Sequence, residues 1–448
     1  MLHKEVVIIG GGISGLTAAY QLNNNSDEFI LLESADKTGG VIETIHEKKY
    51  TFENGPNTFL LNDKRIYNIF KKLNLKIQDA SPNSKNRYVL KNKKCIKVPI
   101  SYLSFLFSSL FSLKTKCKIM FEIINLKKSK KNDESVSEFI IRRLNKEVLD
   151  YSINPFVAGT YAGDPDLLSI KHAFPLLYNL EKNYGSLIMG MFKTKKSKYH
   201  IKRRSISFND GLNKLIENLT CIAGSNIELN AKVTNIIKKE NKFYIDYKQN
   251  NDLKTISTNN VICTVPTYSL KNIFFNEKIN STFDKLSKIY YPPIISVTLG
   301  YKDIINQFDG FGLLIPKKEK MNILGVLYIS SLFNKRAPED ETLITIFLGG
   351  SRQPNIIDLD HNQLLKIIYN DLKIIYGLEK KPIYVSKKIW KNSIPQYNIG
   401  YQKYLDLIKL FEKNNSGFYF TGNFKNGIAL QSNMLNALDV VNNLKIKN

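Results

Sequence analysis

The apolar positions of the chain open as a short run, Val6-Val7-Ile8-Ile9, which gives way to three glycines and then to Leu16, Ala18, Ala19, Tyr20 and Leu22 at helical spacing. That order predicts a strand, a glycine turn and a helix. A second run, Phe29-Ile30-Leu31-Leu32, predicts the next strand and ends at Glu33. Residues 66–75 keep helical spacing, and 86–90 read as a strand closed by Lys97-Val98-Pro99. After residue 205 the pattern turns strand-rich. Residues 206–208, 226–233, 243–247 and 260–266 read as strands, with a helix after Gly211, and these late strands are expected to return to the first sheet. Residues 294–301, 311–316, 323–329 and 343–348 recur at intervals suited to an antiparallel sheet, and 361–376 read as a helix. The strand 417–423 runs into a glycine turn, and 427–430 lead into a last helix through Val440.

Between the two strand-rich parts the pattern is helical. Residues 100–113 (ISYLSFLFSSLFSL) are the most apolar stretch. A helix there would run roughly 21 Å, short of the roughly 30 Å of a hydrocarbon core, so it does not span a bilayer. It suits either a core helix or one lying among lipid headgroups, with the lysines of 114–131 on anionic lipid. Residues 127–133 read as an exposed loop, and Ser135 and Glu138 then open a helix at capping-box spacing. Glycine, proline and small residues crowd 154–165, where a close-packed turn is expected. A second basic loop, 193–204, closes this part.

The glycine turn carries the first chemistry. Gly10-Gly11-Gly12-Ile13-Ser14-Gly15 is a G-x-G-x-x-G pattern between a strand and a helix, which turns backbone N–H groups and a helix N-terminus toward a pyrophosphate. Glu33, about 20 residues further on, is placed to accept hydrogen bonds from a ribose. Thr38-Gly39-Gly40 and Phe52-Glu53-Asn54-Gly55-Pro56-Asn57 extend the site beyond a minimal NAD unit. This succession resembles FAD-containing, amine-oxidase-type flavoproteins, so FAD is the expected cofactor. The helix beginning near 427–430 can set its positive end beside the flavin.

A chain of 448 residues suggests two or three domains. The net charge of +25 is large, yet the lysines are scattered and no nucleic-acid-binding signature accompanies them. No nucleic-acid partner is expected; an acidic membrane surface or an anionic substrate is compatible with the charge. The four cysteines stand far apart, and the five histidines form no ligand pair, so neither a disulfide framework nor a metal site is suggested. The first strand starts within a few residues of Met1, and no targeting peptide is expected in the chain as given.

Nearly the whole chain resembles the FAD-dependent, oxygen-utilising protoporphyrinogen oxidases. The resemblance is carried by GGGISGL, FENGPN, NRYVL, LFNKRAP, FLGGSR, IPQYNIGY and GNFKNGIAL. The middle block ESVSEFIIRRLNKEVLDYSINPFVAGTYAGDPDLLSIKHAFP, followed by LEKNYGSLIMG, carries it most specifically. It implies an α/β fold, α+β overall, in three parts. These are a discontinuous Rossmann-like FAD-binding domain (1–82, 205–270 and 414–448), a substrate domain with an antiparallel sheet (83–99 and 271–413), and a helical membrane-binding domain (100–204).

The implied activity removes six electrons from protoporphyrinogen IX in three flavin cycles, each reoxidised by O2 to give H2O2. By position, Arg87 matches an arginine that pairs with a propionate, although composition alone reads it as a surface cation. Leu314 and Leu327 match an aliphatic pair enclosing one pyrrole ring, Phe347 an aromatic stacked on another, and Gly159 and Gly163 a segment lining the pocket. FAD contacts are expected at Gly10, Gly11, Gly12, Ile13, Ser14, Gly15, Glu33, Ser34, Gly40, Val41, Gly55, Pro56, Asn57, Thr58, Val233, Trp390, Gly422, Asn423, Ile428, Ala429 and Leu430. No side chain is assigned as general acid or base, and no metal is expected.

A homodimer, handover of product to a chelatase, and a cytoplasmic location with peripheral attachment to the inner face of a membrane are family-level expectations. Two positions depart from relatives. Glu43 stands where many carry a basic or neutral residue and is expected to turn outward or pair with a lysine; Asn423 stands where the wider flavoprotein class often has an acid, but Asn is usual in the oxidase family, so it supports the narrower resemblance. The rivals are coproporphyrinogen III oxidation on the same fold, an amine- or carotenoid-type flavin enzyme, and a non-catalytic FAD or tetrapyrrole-binding protein.

Overall fold

The computed structural model describes the chain apart from residues 1, 26, 126, 127, 130, 196, 251, 276–279, 305–307 and 445–448. Part of the loop expected at 127–133 and Lys196 of the second basic loop lie outside the described residues. Two large sheets organise the rest. In the first, Leu2–Ile9 pairs in parallel with Phe29–Leu32 on one side and Asp252–Cys263 on the other, and Phe418–Phe420 joins Asp252–Cys263 in parallel. Lys242–Gln249 and Ala231–Lys239 continue the sheet antiparallel from Asp252–Cys263. The late strands thus return to the first sheet, as their buried apolar runs require. Phe274–Phe275 also pairs with this sheet, beyond residue 270 where the cofactor part is expected to pause.

The second sheet has the order Tyr384–Trp390, Ile294–Lys302, Glu341–Gly349, Ile323–Leu327, Gly312–Leu314, Arg87–Lys91 and Lys94–Lys97. It is antiparallel except where Arg87–Lys91 runs parallel to Gly312–Leu314. One face carries Ile295, Val297, Leu299, Leu313, Val326, Ile346 and Leu348 into a core shared with Leu364, Ile368 and Leu372 of the helix His361–Tyr376. That helix matches its expected bounds, opens on an Asp360/Gln363 capping box and closes at Gly377 in the left-handed region. A smaller sheet joins Phe59–Asp63, His200–Phe208 and Ile77–Asp79. His200–Phe208 therefore runs through residue 204, where the helical segment is expected to end.

Two expectations fail in the helical segment. The stretch 100–113 is not one helix. Ser101 and Ser104 form a capping box that starts Tyr102–Phe107, Ser108 leaves the helical region, and Ser112 caps a separate helix Leu113–Met120. Serine hydroxyls compete for backbone groups and cut the run that hydrophobicity alone would continue. Leu110 and Phe111 turn into the core, while Leu103 and Phe107 stay exposed. Nor is 154–165 a turn: Asn154–Tyr161 is an α-helix following the π-helical turn Leu149–Ile153. Pro155 sits in its first turn, where a missing N–H costs little, and the chain turns only at Ala162, whose φ is 52°. Buried ion pairs tie this segment together: Glu122 accepts from the Arg143 guanidinium, from the Ser186 hydroxyl at 2.8 Å and from the Leu187 amide at 2.9 Å. Among the described residues no helix is long and apolar enough to cross a membrane.

Candidate active site

Four parallel strands end together. Ile9 lies beside Leu32 and Cys263, and Cys263 beside Phe420, so the chain leaves the sheet at Gly10, Glu33, Thr264 and Thr421 along one edge. The crevice outside such carboxyl ends is where open α/β sheets bind ligands. Gly10 has a φ of 105°, and a Cβ there would sit 2.7 Å from the Thr264 hydroxyl. A Cβ on Gly15 would run into the Gly10 carbonyl oxygen, so the helix Ile13–Asn24, with Ile13 and Ser14 buried in its first turn, packs tightly on the turn. Gly12 is different. Its backbone is extended (φ −75°, ψ −177°) and no atom lies within 4 Å of where a Cβ would be. This vacant space, faced by exposed Gly40 and Val41, is a cradle that a side chain would fill.

Glu33 supports the cradle from beneath. One carboxylate oxygen accepts from the Gly11 amide at 2.6 Å, and the other from the Ala35 amide at 2.8 Å and the Ser34 hydroxyl at 3.2 Å. Each oxygen has two lone pairs, which leaves acceptor capacity for a ribose hydroxyl. Val233 lies two residues past Ala231, whose amide donates to the Glu33 carbonyl at 2.8 Å. On the far rim, Gly55 packs against the Val41 carbonyl, and Asn57 donates to the Gly55 carbonyl at 3.1 Å while its own carbonyl oxygen is buried without a partner. Pro56 and Thr58 are half-buried beside it. The Trp390 indole donates to the Asn54 carbonyl at 2.9 Å. Neither the helix Ile13–Asn24 nor Leu430–Asn442 has a side-chain cap at its N-terminus, so their first amides are available to a ligand. The glycine cradle and the acid beneath it fit the pyrophosphate and ribose of a dinucleotide flavin; Gly422 and Asn423 follow the fourth strand end, and Ile428, Ala429 and Leu430 lead into the last helix.

Glu43 pairs with lysines, one of the two outcomes expected for it. Lys37 approaches one oxygen at 2.8 Å and Lys388 the other at 2.9 Å, with Asn54 donating at 2.9 Å. The hydrogen bond from Lys37, then that from Lys388, lower its pKa to about 2.

Register brings the other predicted residues onto one face of the second sheet. Arg87 pairs with Gly312, Gly312 with Leu327 and Leu327 with Thr345; one row on, Leu314 pairs with Gly325 and Gly325 with Phe347. Paired residues share a face, and alternation puts Arg87, Leu314, Leu327 and Phe347 opposite the core side. Gly312 and Gly325 lie between them, where a Cβ would run into the Val326 carbonyl oxygen and meet the Leu313 carbonyl oxygen at 2.7 Å, respectively. Arg87 to the strand of Phe347 is three strand spacings, about 14 Å, the scale of a large planar ligand. Gly159 packs on this face: a Cβ there would lie 2.6 Å from Leu314 Cδ2. Gly163 instead packs against the Gln396 side chain, buried one turn behind. The Arg87 guanidinium lies over the Phe311 ring at 4.4 Å; partial desolvation, and then the charge of Arg203, lower its pKa.

Reasoning from sequence assigned no role to Tyr397 and Tyr401. The Tyr397 hydroxyl donates to the Asn423 carbonyl and accepts from the Gly427 amide at 3.0 Å; Tyr401 donates to the Phe424 carbonyl at 2.6 Å. They hold the loop that presents the last helix. Their only signal was membership of the IPQYNIGY segment. Buried Arg336 was also missed: it donates to Ser207 Oγ at 2.8 Å and lies 3.9 Å from Glu53, joining the second sheet's connections to the FENGPN strand.

The flavin containing amine oxidoreductase family matches residues 13–429. The chain is 32% identical over 456 residues to the chloroplastic protoporphyrinogen oxidase of Nicotiana tabacum, covering 95% of this chain and 82% of that one. It is 27% identical over 451 residues to the coproporphyrinogen III oxidase of Bacillus subtilis, covering 95% of each. A crystal structure of a putrescine oxidase variant superposes with a TM-score of 0.72 at 15% identity, covering 98% of both chains. The FAD assignment follows from this family and from the cradle, and the chain belongs to the flavin-containing amine oxidoreductases, as an FAD-dependent oxidoreductase similar to the porphyrinogen oxidases among them.

Proposed function

We propose that the chain oxidises protoporphyrinogen IX to protoporphyrin IX, with O2 as the final acceptor and H2O2 as the second product. The observation that carries this reading is the single sheet face that sets one stacked arginine, two leucines and a phenylalanine around glycines, joined to the cofactor rim through Trp390 and Lys388. FAD, when bound, supplies two-electron acceptance. The residues of the chain bind and orient. Arg87, pre-oriented by Phe311, offers a planar fork to a carboxylate. Leu314 and Leu327 exclude water from a pyrrole face, and Phe347 stacks on another. Gly159 brings helix backbone against Leu314. Such a wall offers orientation rather than acid–base chemistry, which suits a substrate whose own conjugation stabilises developing charge.

We further propose that the helical segment rests on a membrane surface on the cytoplasmic side. Ile100, Leu103, Phe107, Leu113, Phe121 and Phe192 are exposed there, amid exposed Lys114 and Lys118. Aerobic incubation of the purified flavoprotein with protoporphyrinogen IX and, separately, coproporphyrinogen III, followed by porphyrin fluorescence above the autoxidation blank, tests the substrate. Turnover of the first over the second is expected. Turnover of the second alone moves the assignment to the tetracarboxylate, and turnover of neither ends it.

A further inference from the structure

The helix Asn154–Tyr161 meets the second sheet at a point where it offers no side chain. Gly159 is exposed and lies against Leu314, whose Cδ2 takes the space of a Cβ. A glycine adds no packing of its own, so the spacing of helix and strand at this point is fixed from the ends of the helix.

One short segment holds both ends. After the strand Glu341–Gly349, which carries Phe347, the chain makes the 3-10 turn Gly350–Arg352. At the end of the helix the Ser351 amide donates to the Ala162 carbonyl at 2.7 Å, and a Cβ on Gly350 would lie 2.6 Å from the same oxygen. At its start the Arg352 guanidinium donates through Nη2 to Asn154 Oδ1 at 3.2 Å, and through Nη1 to the Ile315 carbonyl at 3.0 Å. Asn154 Oδ1 also accepts from the Lys317 amide at 2.9 Å. One guanidinium thus joins the helix that carries Gly159, the strand end that follows Leu314 and the turn that follows Phe347.

Both partners of the fork are neutral, and among the described residues Arg352 forms no ion pair. Burial lowers its pKa to about 10, so it stays charged near neutral pH. Hydrogen bonds from a charged donor are the stronger kind, and a planar fork fixes the angle between its two acceptors. Lys317 with Asp164 and Lys318 with Asp150, each at 3.6 Å, also join the residues after Ile315 to the helical segment, but these lysines are exposed and such pairs count for little.

We propose that Arg352 is a positioning residue that fixes the gap between Gly159 and Leu314 and, through it, how closely a flat macrocycle is held on the sheet face. The inference rests on the reading of the substrate as a porphyrinogen. It adds a residue that acts through the helix rather than by contact with the carbon that is oxidised. Without the fork the start of the helix is released from the strand end, the gap varies, and contacts to the ring are lost while the reacting centre is untouched.

The FAD-loaded protein and its Arg352→Ala, Arg352→Lys and Asn154→Ala variants, with the Arg352→Ala/Asn154→Ala double variant, are titrated with protoporphyrin IX by fluorescence. KM and kcat for protoporphyrinogen IX and amide hydrogen exchange across residues 154–161 are measured alongside. Arg352→Ala should weaken protoporphyrin IX about 10-fold and raise KM by a similar factor, with kcat within about threefold. Exchange should speed up in 154–161 and not in the helix His361–Tyr376. Arg352→Lys keeps one bond and should recover part of the loss. The double variant should lie within about twofold of Arg352→Ala, because both substitutions break the same bond. Affinity and KM within about twofold of the unaltered protein in Arg352→Ala, or losses that multiply in the double variant, overturn the proposal. If the unaltered protein binds protoporphyrin IX in an Arg352-dependent way but oxidises no porphyrinogen, the positioning role stands and the activity reading falls. Turnover that ignores Arg352 gives the converse, and an unaltered protein that neither binds nor oxidises the macrocycle ends both. An Arg352→Ala protein that loses FAD is misfolded, and Arg352→Lys then decides: weakened protoporphyrin IX with FAD retained supports the role, and unchanged affinity overturns it.

Discussion

The glycines of the N-terminal turn separate what the fold needs from what the cofactor needs, and Gly12→Ala isolates the second. Alanine adopts the Gly12 backbone (φ −75°, ψ −177°) without strain, and its methyl would meet no protein atom within 4 Å. The apoprotein should lose no more than about 1 kcal/mol, the scale of a poorer helix N-cap residue. A pyrophosphate in the cradle meets the methyl directly. Displacing it by about 1 Å takes its oxygens from about 2.9 to about 3.9 Å from the turn amides, out of hydrogen-bond reach. Two charge-assisted bonds at about 1.5–3 kcal/mol each are then lost, a fall in FAD affinity of about 10²- to 10⁴-fold. Gly15→Ala is the contrast, because its Cβ meets the Gly10 carbonyl oxygen and should harm the apoprotein as well. Thermal unfolding of the deflavinated proteins and titration with FAD measure the two effects. A Gly12→Ala protein that keeps FAD within about threefold of the unaltered affinity refutes the reasoning.

Two further outcomes follow from charged clusters. Glu43, its pKa lowered to about 2, gives stability that is fully present above the ordinary carboxylate value and is lost as pH falls through about 2. Its partners are partly exposed, so Glu43→Gln should cost about 1 kcal/mol near neutral pH and nothing in strong acid, read from denaturant unfolding at a series of pH values. Glu122→Gln leaves buried Arg143 opposite a neutral group and weakens the hold on Ser186 and Leu187; a loss of about 3–5 kcal/mol is expected, with the helical segment becoming the first site of proteolysis.

The glycine turn, the returning strands and the antiparallel run 294–301, 311–316, 323–329 and 343–348 were legible because each depends on local pattern, a glycine spacing or a buried apolar run, whereas Arg87, Leu314, Leu327 and Phe347 were singled out by resemblance and not by pattern. The helix His361–Tyr376 was legible to the residue, since its cap and its terminal glycine are written into it. The break in 100–113 was not, because serine capping competes with apolar periodicity and the balance depends on which apolar residues find a core. The helix at 154–161 was hidden by its glycine and proline; Gly159 is tolerated there because Leu314, far away in sequence, takes the space a side chain would occupy.

By itself the sequence determined the dinucleotide turn and the element types outside 100–113 and 154–165, since these follow from residue spacing and backbone stereochemistry. Tertiary structure alone decided which face of the second sheet is turned away from its core, that Tyr397 and Tyr401 hold the loop before the last helix, and that Arg204 is spent on Asp79. Those are contacts between segments remote in the chain, fixed by strand register and the packing of whole elements, and no local pattern encodes them.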